Sequence, residues 1–297
     1  MLQTAAAAAA SQQYPAAALY LVATPIGNLA DITLRAVHLL SLVDAVACED
    51  TRVGGSLLRH LGLQRPLLAL HQHNEAEAAQ QVLARLGAGQ RVAFISDAGT
   101  PAVSDPGARL VAAVQAAGHR VIPLPGASSV LAALCVAGDA QATAFAFVGF
   151  LPAKGGERRA ALERVLAVDS ASQVLFEAPH RVEGLAAELA AAAPQRKVTL
   201  CRELTKQFES VATMTAAELP AWLAADPNRL RGEFVLVLHA RPPAAPDAGA
   251  IDPAALRLLT LLLRELPLKQ AVALAAEASG APRKALYARA LAQRAED

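Results

Sequence analysis

The sequence lacks a surplus of either charge and has no long apolar run. Its 27 lysine and arginine residues face 26 acidic residues, for a formal net charge of +1. A protein that binds nucleic acid through its overall field carries a clear positive excess, so any surface for RNA or DNA must be a local patch. No apolar run reaches the roughly 20 residues that a membrane-spanning helix needs. These absences predict a soluble, cytoplasmic protein.

Cysteine is also scarce, which excludes a disulfide framework and a zinc site. The three cysteines, Cys48, Cys135 and Cys201, are far apart and lie in apolar stretches. We expect buried free thiols in a reducing compartment, because no disulfide or zinc spacing is present. The segment "HQHNE" carries His71 and His73, but a pair at i and i+2 without a third ligand at an established spacing indicates no metal site.

Two other familiar signals are missing. The chain has neither the G-x-G-x-x-G dinucleotide fingerprint nor the G-x-x-x-x-G-K phosphate-binding loop. Residues 1–17, which include an alanine tract, have no basic region and no long core of leucine, valine or phenylalanine. We therefore expect a disordered leader there rather than a signal peptide.

What the sequence does contain is a regular alternation of strand and helix patterns. Short apolar runs predict a first set of strands at 19–23, 45–49, 66–70, 91–96 and 120–124. Each is followed by enough chain for a crossover helix, which is typical of a parallel α/β sheet. Ligands of such sheets bind beyond the carboxyl ends of the strands.

A second set of strands is predicted at 144–150, 172–177, 197–204, 209–215 and 232–240. The connection "TKQF" between the third and fourth of these is too short for a helix, so it implies an antiparallel pair and a mixed sheet. We therefore expect two α/β domains, at 18–142 and 143–240.

The rest of the chain predicts a linker and a helical tail. Residues 241–250, "RPPAAPDAGA", lack periodicity, as linkers do. Residues 251–297 predict a small domain of three helices, with Pro253, Pro267 and Pro282 in first turns and Gly280 closing the second helix. The basic residues of this tail suit either an RNA-facing surface or an ordinary solvated face.

The stretch "SDAGTPAVSDPG" follows the fourth predicted strand. Asp97 comes at the strand end, Gly99 permits a backbone turn, and Pro101 stiffens the exit. Residues 104–106, "SDP", read as a helix start with a capping side chain followed by proline. The stretch predicts a crevice with exposed amides and a carboxylate for a small molecule of mixed charge; the alternative is a plain strand-to-helix turn.

The stretch "PLPGASSVLAAL" repeats this arrangement at the next strand end. Gly126 permits close approach, and Ser128 or Ser129 caps a helix with its hydroxyl facing the same crevice. Two adjacent strand ends with such loops support a binding site more strongly than either one alone.

Nine motifs in one order carry a family resemblance. They are "LVATPIGNLADITLRA", "ACEDTR", "ALHQHNE", "ISDAGTPAVSDPG", "PLPGASSVLAAL", "GFLP", "FEAPHR", "CRELTKQFE" and "GEFVLVL". Over roughly residues 19–240 the chain resembles the S-adenosylmethionine-dependent methyltransferases of the tetrapyrrole-methylase-like fold. More narrowly, it resembles the branch that methylates the ribose 2′-oxygen of a cytidine in the decoding centre of 16S ribosomal RNA.

The resemblance implies a homodimer with S-adenosylmethionine in the cleft between two α/β domains, acting on 16S rRNA in the small ribosomal subunit. The positions that it implies for cofactor binding are Asp97, Ala98, Gly99, Thr100, Pro101, Ser128, Ser129, Phe150, Leu151, Pro152 and Ala178.

One departure separates the chain from the tetrapyrrole enzymes. They carry a G-x-G-P-G turn after the first strand, whereas residues 24–27 here are "TPIG". This argues against the alternative of a tetrapyrrole (precorrin-type) methyltransferase. A non-catalytic RNA-binding module that uses the cleft only to sense a ligand is a further alternative.

Charged residues at the motif loops are the candidates for chemistry. Glu49 or Asp50 is expected to orient or deprotonate the acceptor hydroxyl, and Lys154 is a further catalytic candidate. Arg52, Lys154, Arg202 and Lys206 are expected to grip the phosphates or ribose of the RNA, contacts that position a substrate without reading its sequence. Each could instead be a surface ion pair or a solvated charge.

Overall fold

A computed structural model describes residues 1–71, 73–241 and 251–296. The chain divides into two compact units, residues 1–240 and residues 241–297. The predicted linker lies, from residue 242 onward, outside the described residues.

The first sheet of the larger unit has five parallel strands, as predicted. In chain order they are β1 (Ala18–Val22), β2 (Ala45–Cys48), β3 (Leu67–Ala69), β4 (Val92–Ile95) and β5 (Arg120–Leu124). The spatial order is β3-β2-β4-β1-β5. Because β1 lies between β4 and β5, the loops that follow these three strands meet at one edge of the sheet.

Six helices accompany this sheet. They are α1 (Leu2–Ala9), α2 (Leu34–Leu42), α3 (Thr51–His60), α4 (Glu75–Gly87), α5 (Ala108–Ala116) and α6 (Ser129–Ala137). Apolar side chains bury both faces of the sheet in two clusters, one around Tyr20 and Leu39 and one around Phe94 and Leu110.

The disordered leader that the sequence predicted is replaced by a packed helix. Alanine has the highest helix propensity of all residues, and the alanine tract forms α1. Ala5 and Ala9 are buried, and Ala5 belongs to the same apolar cluster as α2. Tyr14 then sets the edge of its ring against His38 of α2, with 5.3 Å between ring centroids. Burial of small apolar side chains therefore orders a segment that composition alone suggested would stay unfolded.

The second sheet is mixed, again as predicted. Its strands are β6 (Ala144–Phe150), β7 (Ala171–Glu177), β8 (Lys197–Arg202), β9 (Ser210–Thr215) and β10 (Phe234–Leu238). They are arranged in the order β6-β7-β10-β8-β9. Only β6 and β7 pair in parallel; β8 and β9, joined by the short "TKQF" connection, pair antiparallel. The helices α7 (Gly155–Leu166), α8 (Val182–Ala192) and α9 (Leu219–Ala224) complete this half.

Helix α6 packs against the second sheet as well as following the first. Val130, Ala133 and Ala137, spaced for one helix face, are buried together with Val235 and Val237 of β10. Cys135 points away from this face and is exposed, so the prediction of three buried thiols is wrong for this one. Cys48 and Cys201 are buried, and burial raises the pKa of the Cys48 thiol to about 11.

A buried polar network lies at the end of the second sheet. The Nε2 atom of His239 is 2.7 Å from the hydroxyl of Thr199, and its Nδ1 atom is 3.9 Å from a carboxylate oxygen of Asp139. Asp139 also accepts a hydrogen bond from Ser172 at 2.7 Å. Burial lowers the pKa of His239 below its usual range.

The smaller unit contains the three predicted helices, α10 (Pro253–Glu265), α11 (Leu268–Ser279) and α12 (Arg283–Glu296). Gly280 ends α11 in the left-handed conformation, with φ +69°. Leu259, Val272 and Leu286, one from each helix, are fully buried in a separate core. Among the described residues, no helix has the length and apolar character to cross a membrane.

Candidate functional site

A cavity of about 410 Å³ lies where the loops after β4 and β5 meet the ends of β6, β7 and β10. Its wall from the first half of the chain consists of Ile26, Ala98, Gly99, Thr100, Val103, Ser104, Asp105, Ser128, Ser129 and Val130. Its wall from the second half consists of Phe150, Phe176, Glu177, Ala178, Pro179, Leu204, Glu233, Phe234 and Val235. We call these the first wall and the second wall, and the space between them the cleft.

Backbone hydrogen bonds fix the first wall. Gly99 and Thr24 pair as an isolated antiparallel bridge, with N···O distances of 2.9 and 3.1 Å. The hydroxyl of Ser96 donates to the carbonyl of Gly99 at 3.0 Å, and that of Thr100 donates to the carbonyl of Ala127 at 3.1 Å. The loop after β4 is thereby tied to both neighbouring loops.

The middle of this loop adopts backbone conformations that are rare for side-chain-bearing residues. Gly99 has φ +82°, Ala102 has φ +64° and Ser104 has φ +67°. Such left-handed residues cost free energy and cluster at functional sites. The strain here bends residues 100–106 toward the cleft, where Ser104 and Asp105 line it.

The predicted helix start at residues 104–106 is wrong. Helix α5 begins at Ala108, with Gly107 as its N-cap and no side-chain capping bond. Gly107 has φ +124°, and a Cβ atom there would lie 2.3 Å from the Phe94 ring, so only glycine fits. Its amide donates to the Glu75 carboxylate at 2.8 Å. The capping signal was misread because the serine and aspartate line the cleft instead.

The start of α6 supplies a second part of the first wall. Ser128 caps this helix by accepting a hydrogen bond from the Leu131 amide at 3.5 Å, as the sequence predicted. Gly126 approaches Ala23 so closely that an added Cβ would lie 2.8 Å from the Ala23 side chain. The first amides of a helix and its positive dipole end favour an anionic group such as a carboxylate.

The second wall combines aromatic rings with a buried ion network. The rings of Phe150 and Phe176 meet edge to face, 5.6 Å apart, and offer an apolar surface. Beside them Glu177, whose side chain is 0% exposed, pairs with Arg158 at 3.3 Å and with Arg181 at 3.0 Å. A carboxylate with no exposure needs such partners to remain charged.

These two arginines also hold the chain that leaves β6. Arg181 donates to the carbonyl of Leu151 at 2.7 Å, and both arginines donate to the carbonyl of Pro152 at 3.2 Å. The network therefore links the segment after β6 to the segment after β7, and both segments border the cleft.

Of the eleven positions that the resemblance implied for cofactor binding, seven line the cleft: Ala98, Gly99, Thr100, Ser128, Ser129, Phe150 and Ala178. Asp97, Pro101, Leu151 and Pro152 do not line it. The Asp97 side chain turns to the other side of the loop, accepts the Asp50 amide at 3.1 Å and lines a smaller cavity. Pro101 and Leu151 are buried, and the carbonyl of Pro152 accepts a hydrogen bond from Arg181.

Asp105 lines the cleft, and the carboxylates of Glu49 and Asp97 lie near enough to affect its pKa. Burial, together with the charges of Glu49 and Asp97, raises the pKa of Asp105 to about 6. Burial and the charge of Asp97 likewise raise the pKa of Glu49. Asp105 lines the cleft and also lines a neighbouring cavity with Glu49. The part of the cleft beside Asp105 favours a cationic ligand or a transferable proton.

Asp50 differs from its neighbour. Its carboxylate caps α3 and binds Arg52 at 3.0 Å, and these hydrogen bonds lower its pKa to about 2. A carboxylate this acidic is a poor proton acceptor near neutral pH. Arg52 itself is exposed on the protein surface.

The other predicted basic residues lie in two further places. Lys206 pairs with Glu203 at 2.9 Å and Glu233 at 3.0 Å beside the second wall. Arg202 donates to the carbonyls of Arg231 and Phe208 at 2.7 and 2.9 Å. Lys154 precedes α7 and lies in a separate cavity, away from the residues that line the cleft.

Sequence reasoning missed several cleft residues. Asp105 stood in a quoted motif but was read as part of a helix start, and Glu177 stood in "FEAPHR" without a role. Phe176 and Val235 belong to strands whose contact with the cleft depends on how the two halves pack. The signal that could have found Glu177 is a charged residue at the end of an otherwise apolar strand.

Two family models match the chain. The model described as Tetrapyrrole (Corrin/Porphyrin) Methylases matches residues 18–220. The model described as RsmI C-terminal HTH domain matches residues 249–294.

Curated relatives extend this match to nearly the whole chain. The chain is 47% identical to "Ribosomal RNA small subunit methyltransferase I" of Pseudomonas aeruginosa, over 93% of this chain and 97% of the relative. It is 46% identical to the protein of the same name from Escherichia coli O157:H7, over 93% and 95%. Among solved structures, uroporphyrin-III C-methyltransferase of Thermus thermophilus, complexed with S-adenosylhomocysteine, matches with a TM-score of 0.53. It is 22% identical and covers 74% of this chain and 96% of that one, a likeness of fold.

Proposed function

Because this chain belongs to the tetrapyrrole methylase family, and within it to the ribosomal RNA small subunit methyltransferase I family, we propose that it methylates the 2′-oxygen of a cytidine ribose in 16S ribosomal RNA. The methyl donor is S-adenosylmethionine. The observation that carries this proposal is the cleft, whose two walls together offer the groups that this donor requires.

The chemistry of the cleft fits the donor. The amides at the start of α6 and the Ser128 hydroxyl suit its amino-acid carboxylate, and the carboxylate of Asp105 suits a cation. The apolar surface of Phe150 and Val103 suits its adenine. S-adenosylmethionine supplies a methyl group on a sulfonium sulfur, which is already a good leaving group.

The main contribution of the protein is then to align the acceptor oxygen with the methyl group of the donor. Fixing the acceptor oxygen at near-attack distance can contribute up to roughly 7 to 11 kcal/mol to lowering the barrier. The hydrogen-bonded loop at Gly99 and the ion network at Glu177 are rigid supports of this kind, because their geometry is set by internal contacts. The rings of Phe150 and Phe176 give the same space an apolar side.

The proton of the ribose hydroxyl needs an acceptor. Between the two carboxylates that the sequence offered, Glu49 suits this role and Asp50, engaged by Arg52, does not. Asp105 joins Glu49, since it lines both the cleft and the neighbouring cavity that contains Glu49. General-base help of this kind is worth about 10² to 10⁴-fold in rate.

We further infer a homodimer, formed through α6 and β6. Phe145 is 53% exposed and Val148 37% exposed on β6, an edge strand. On α6, Leu131 is 57% exposed and Val136 46% exposed. An exposed apolar edge strand invites pairing. Light scattering should give twice the monomer mass, and Phe145→Asp should give the monomer mass.

Because the proposed substrate is ribosomal RNA, we also infer that the protein acts in the cytoplasm.

The methylation proposal is tested with small ribosomal subunits from a strain that lacks the protein. Incubation with the purified chain and S-adenosylmethionine should add one methyl group, found as 2′-O-methylcytidine by mass spectrometry of digested 16S rRNA. Ala98→Trp, which fills the cleft, should abolish transfer, whereas Ala187→Trp, on the exposed face of α8, should not.

Transfer to a precorrin instead of rRNA would replace the proposal with the tetrapyrrole alternative. Binding of S-adenosylmethionine without transfer to either acceptor would favour the ligand-sensing module.

A further inference from the structure

A second cavity, of about 720 Å³, lies between the start of α7 and the α8 helix. It shares no lining residue with the cleft. Its polar lining is formed by Lys154, Gly155, Gly156, Arg158, Arg159 and Arg181, with Glu188 as the one acidic residue. We call it the α7 cavity.

The charges of the α7 cavity do not balance. Arg158 pairs with Glu188 at 2.9 Å and with buried Glu177, and Arg181 also pairs with Glu177. The side chains of Lys154 and Arg159 make no hydrogen bond or ion pair with any residue that the structure describes, and both residues are exposed. Two cations in one cavity therefore remain available to an outside anion.

The backbone adds donors at the same place. Helix α7 has twelve residues, and its N-cap, Lys154, makes no side-chain capping bond. Its first two residues are glycines, and a Cβ atom at Gly155 or Gly156 would meet nothing within 4 Å. The two glycines therefore place no side chain beside the first amides of the helix, and the positive end of the helix dipole lies beside the two free cations.

We propose that the α7 cavity binds a backbone phosphodiester of the RNA substrate. This inference rests on the function proposed above and gives Lys154 a positioning role. Free amides together with a lysine and an arginine are the donors that grip nucleic-acid phosphates, and such contacts fix the register of the bound strand. A local patch also explains how a chain of net charge +1 holds a polyanion.

The α7 cavity is joined to the cleft by one carboxylate. Arg158 and Arg181 line the cavity and pair with Glu177, which lines the second wall. A phosphate bound beside these arginines would contact the ion network that contains Glu177 of the second wall. The RNA strand therefore has an anchor on the same ion network that supports the site of reaction.

The test compares the double variant K154A/R159A with the control R164A/K197A. The control removes two exposed basic residues of the same half of the chain, one of them on α7, that do not line the cavity. For each protein, kcat and KM for methylation of small ribosomal subunits are measured at 50 to 200 mM KCl. The Kd for a fluorescein-labelled single-stranded RNA is measured over the same salt range, and the Kd for S-adenosylhomocysteine by calorimetry.

The expected result for K154A/R159A is a rise of about tenfold in KM, with kcat within about twofold and an unchanged Kd for S-adenosylhomocysteine. The plot of log Kd for RNA against log salt should become shallower by about 0.7, since each phosphate contact on a single strand contributes about 0.7. R164A/K197A should match the wild type.

Three results would overturn the proposal: a salt slope equal to that of the control variant, a fall in kcat at constant KM, or wild-type protein that does not bind the RNA. A fall in kcat would return Lys154 to a catalytic role. If the wild type binds RNA but transfers no methyl group to the subunits, the proposed function fails, and the salt slopes alone then decide the phosphate site.

Discussion

The two walls of the cleft are held in place by different kinds of interaction. In the first wall, backbone hydrogen bonds and left-handed residues hold the loop from Ser96 to Ser104. In the second wall, the long side chains of Arg158 on α7 and of Arg181, which precedes α8, reach a carboxylate at the end of β7. The first wall is a local structure, tied mainly to the adjoining strand-end loops. The second exists only when three separate elements have packed together.

This contrast teaches that the two walls fail differently. A change in the first wall strains one loop and leaves the sheet beneath it intact. A change in the second wall leaves a charge unpaired in the interior, and the cost falls on the whole fold. Stability measurements and ligand-binding measurements should therefore separate the walls.

The largest effect is expected for Glu177→Ala. Removing one partner of a buried ion pair costs about 3 to 5 kcal/mol, because the other charges stay buried. Urea unfolding should show this loss of unfolding free energy. Glu188→Ala removes another partner of Arg158. Because the Glu188 side chain is 40% exposed, this loss should cost about 1 kcal/mol or less. Equal losses in the two variants would show that the burial of Glu177 does not set the cost of breaking this network.

The second largest effect is expected for Gly99→Ala. A left-handed alanine costs about 1 to 2 kcal/mol, and the added Cβ atom would lie 3.2 Å from Ile26. We expect about a tenfold weaker Kd for S-adenosylhomocysteine, since 1.4 kcal/mol is tenfold in affinity. Gly118, between α5 and β5, has a similar φ of +79°, and an added Cβ atom there would meet nothing within 4 Å. Gly118→Ala carries the same backbone strain away from the cleft lining, and it should leave this Kd unchanged. Weaker binding in both variants would show that general strain, not wall geometry, controls affinity.

A pH dependence should mark the second half of the chain. Burial lowers the pKa of His239 in the fold below the value of 6.5 near which it titrates in the unfolded chain. The unfolded state therefore binds the extra proton, and the contribution of His239 to stability is present above pH 6.5 and lost as the pH falls below it. The slope for one group is at most about 1.4 kcal/mol per pH unit. Urea unfolding at several pH values should show a shallower slope for His239→Gln.

The smallest effect belongs to Asp105 on the first wall and has the opposite sign. The pKa of this carboxyl is about 6 in the fold and 3.8 in the unfolded chain, so the folded state holds the proton between these values. Its contribution to stability therefore falls as the pH rises from about 4 to about 6. Asp105→Asn should raise stability above pH 6 by an amount of the order of 1 kcal/mol and slow methyl transfer. A variant as active as the wild type would remove Asp105 from the proton path.

The same contrast explains what the sequence could predict. All ten strands, their division into a parallel and a mixed sheet, and the first-wall loop were predictable, because apolar runs, glycines and prolines are local signals. The Glu177 network was not, since Arg158 and Glu188 lie far from it in the chain and meet it only after packing. The leader was misjudged for a related reason. An alanine tract is compatible with a disordered segment or with a helix until a partner such as α2 covers it. The start of α5 was misplaced because Gly107 is dictated by the ring of Phe94, a contact that no pattern records.

Helix α6 has a consequence for how the protein is made. It ends the first half of the chain, yet its apolar face is covered by β10, the last strand of the second sheet. On the ribosome, Val130 and Ala133 emerge well before their partners on β10 have been synthesised. The apolar face of α6 therefore stays uncovered while the rest of the polypeptide is translated. The first α/β half therefore leaves one face of α6 uncovered until the second half has been made. Nascent chains that stall before β10 should be clients for chaperones.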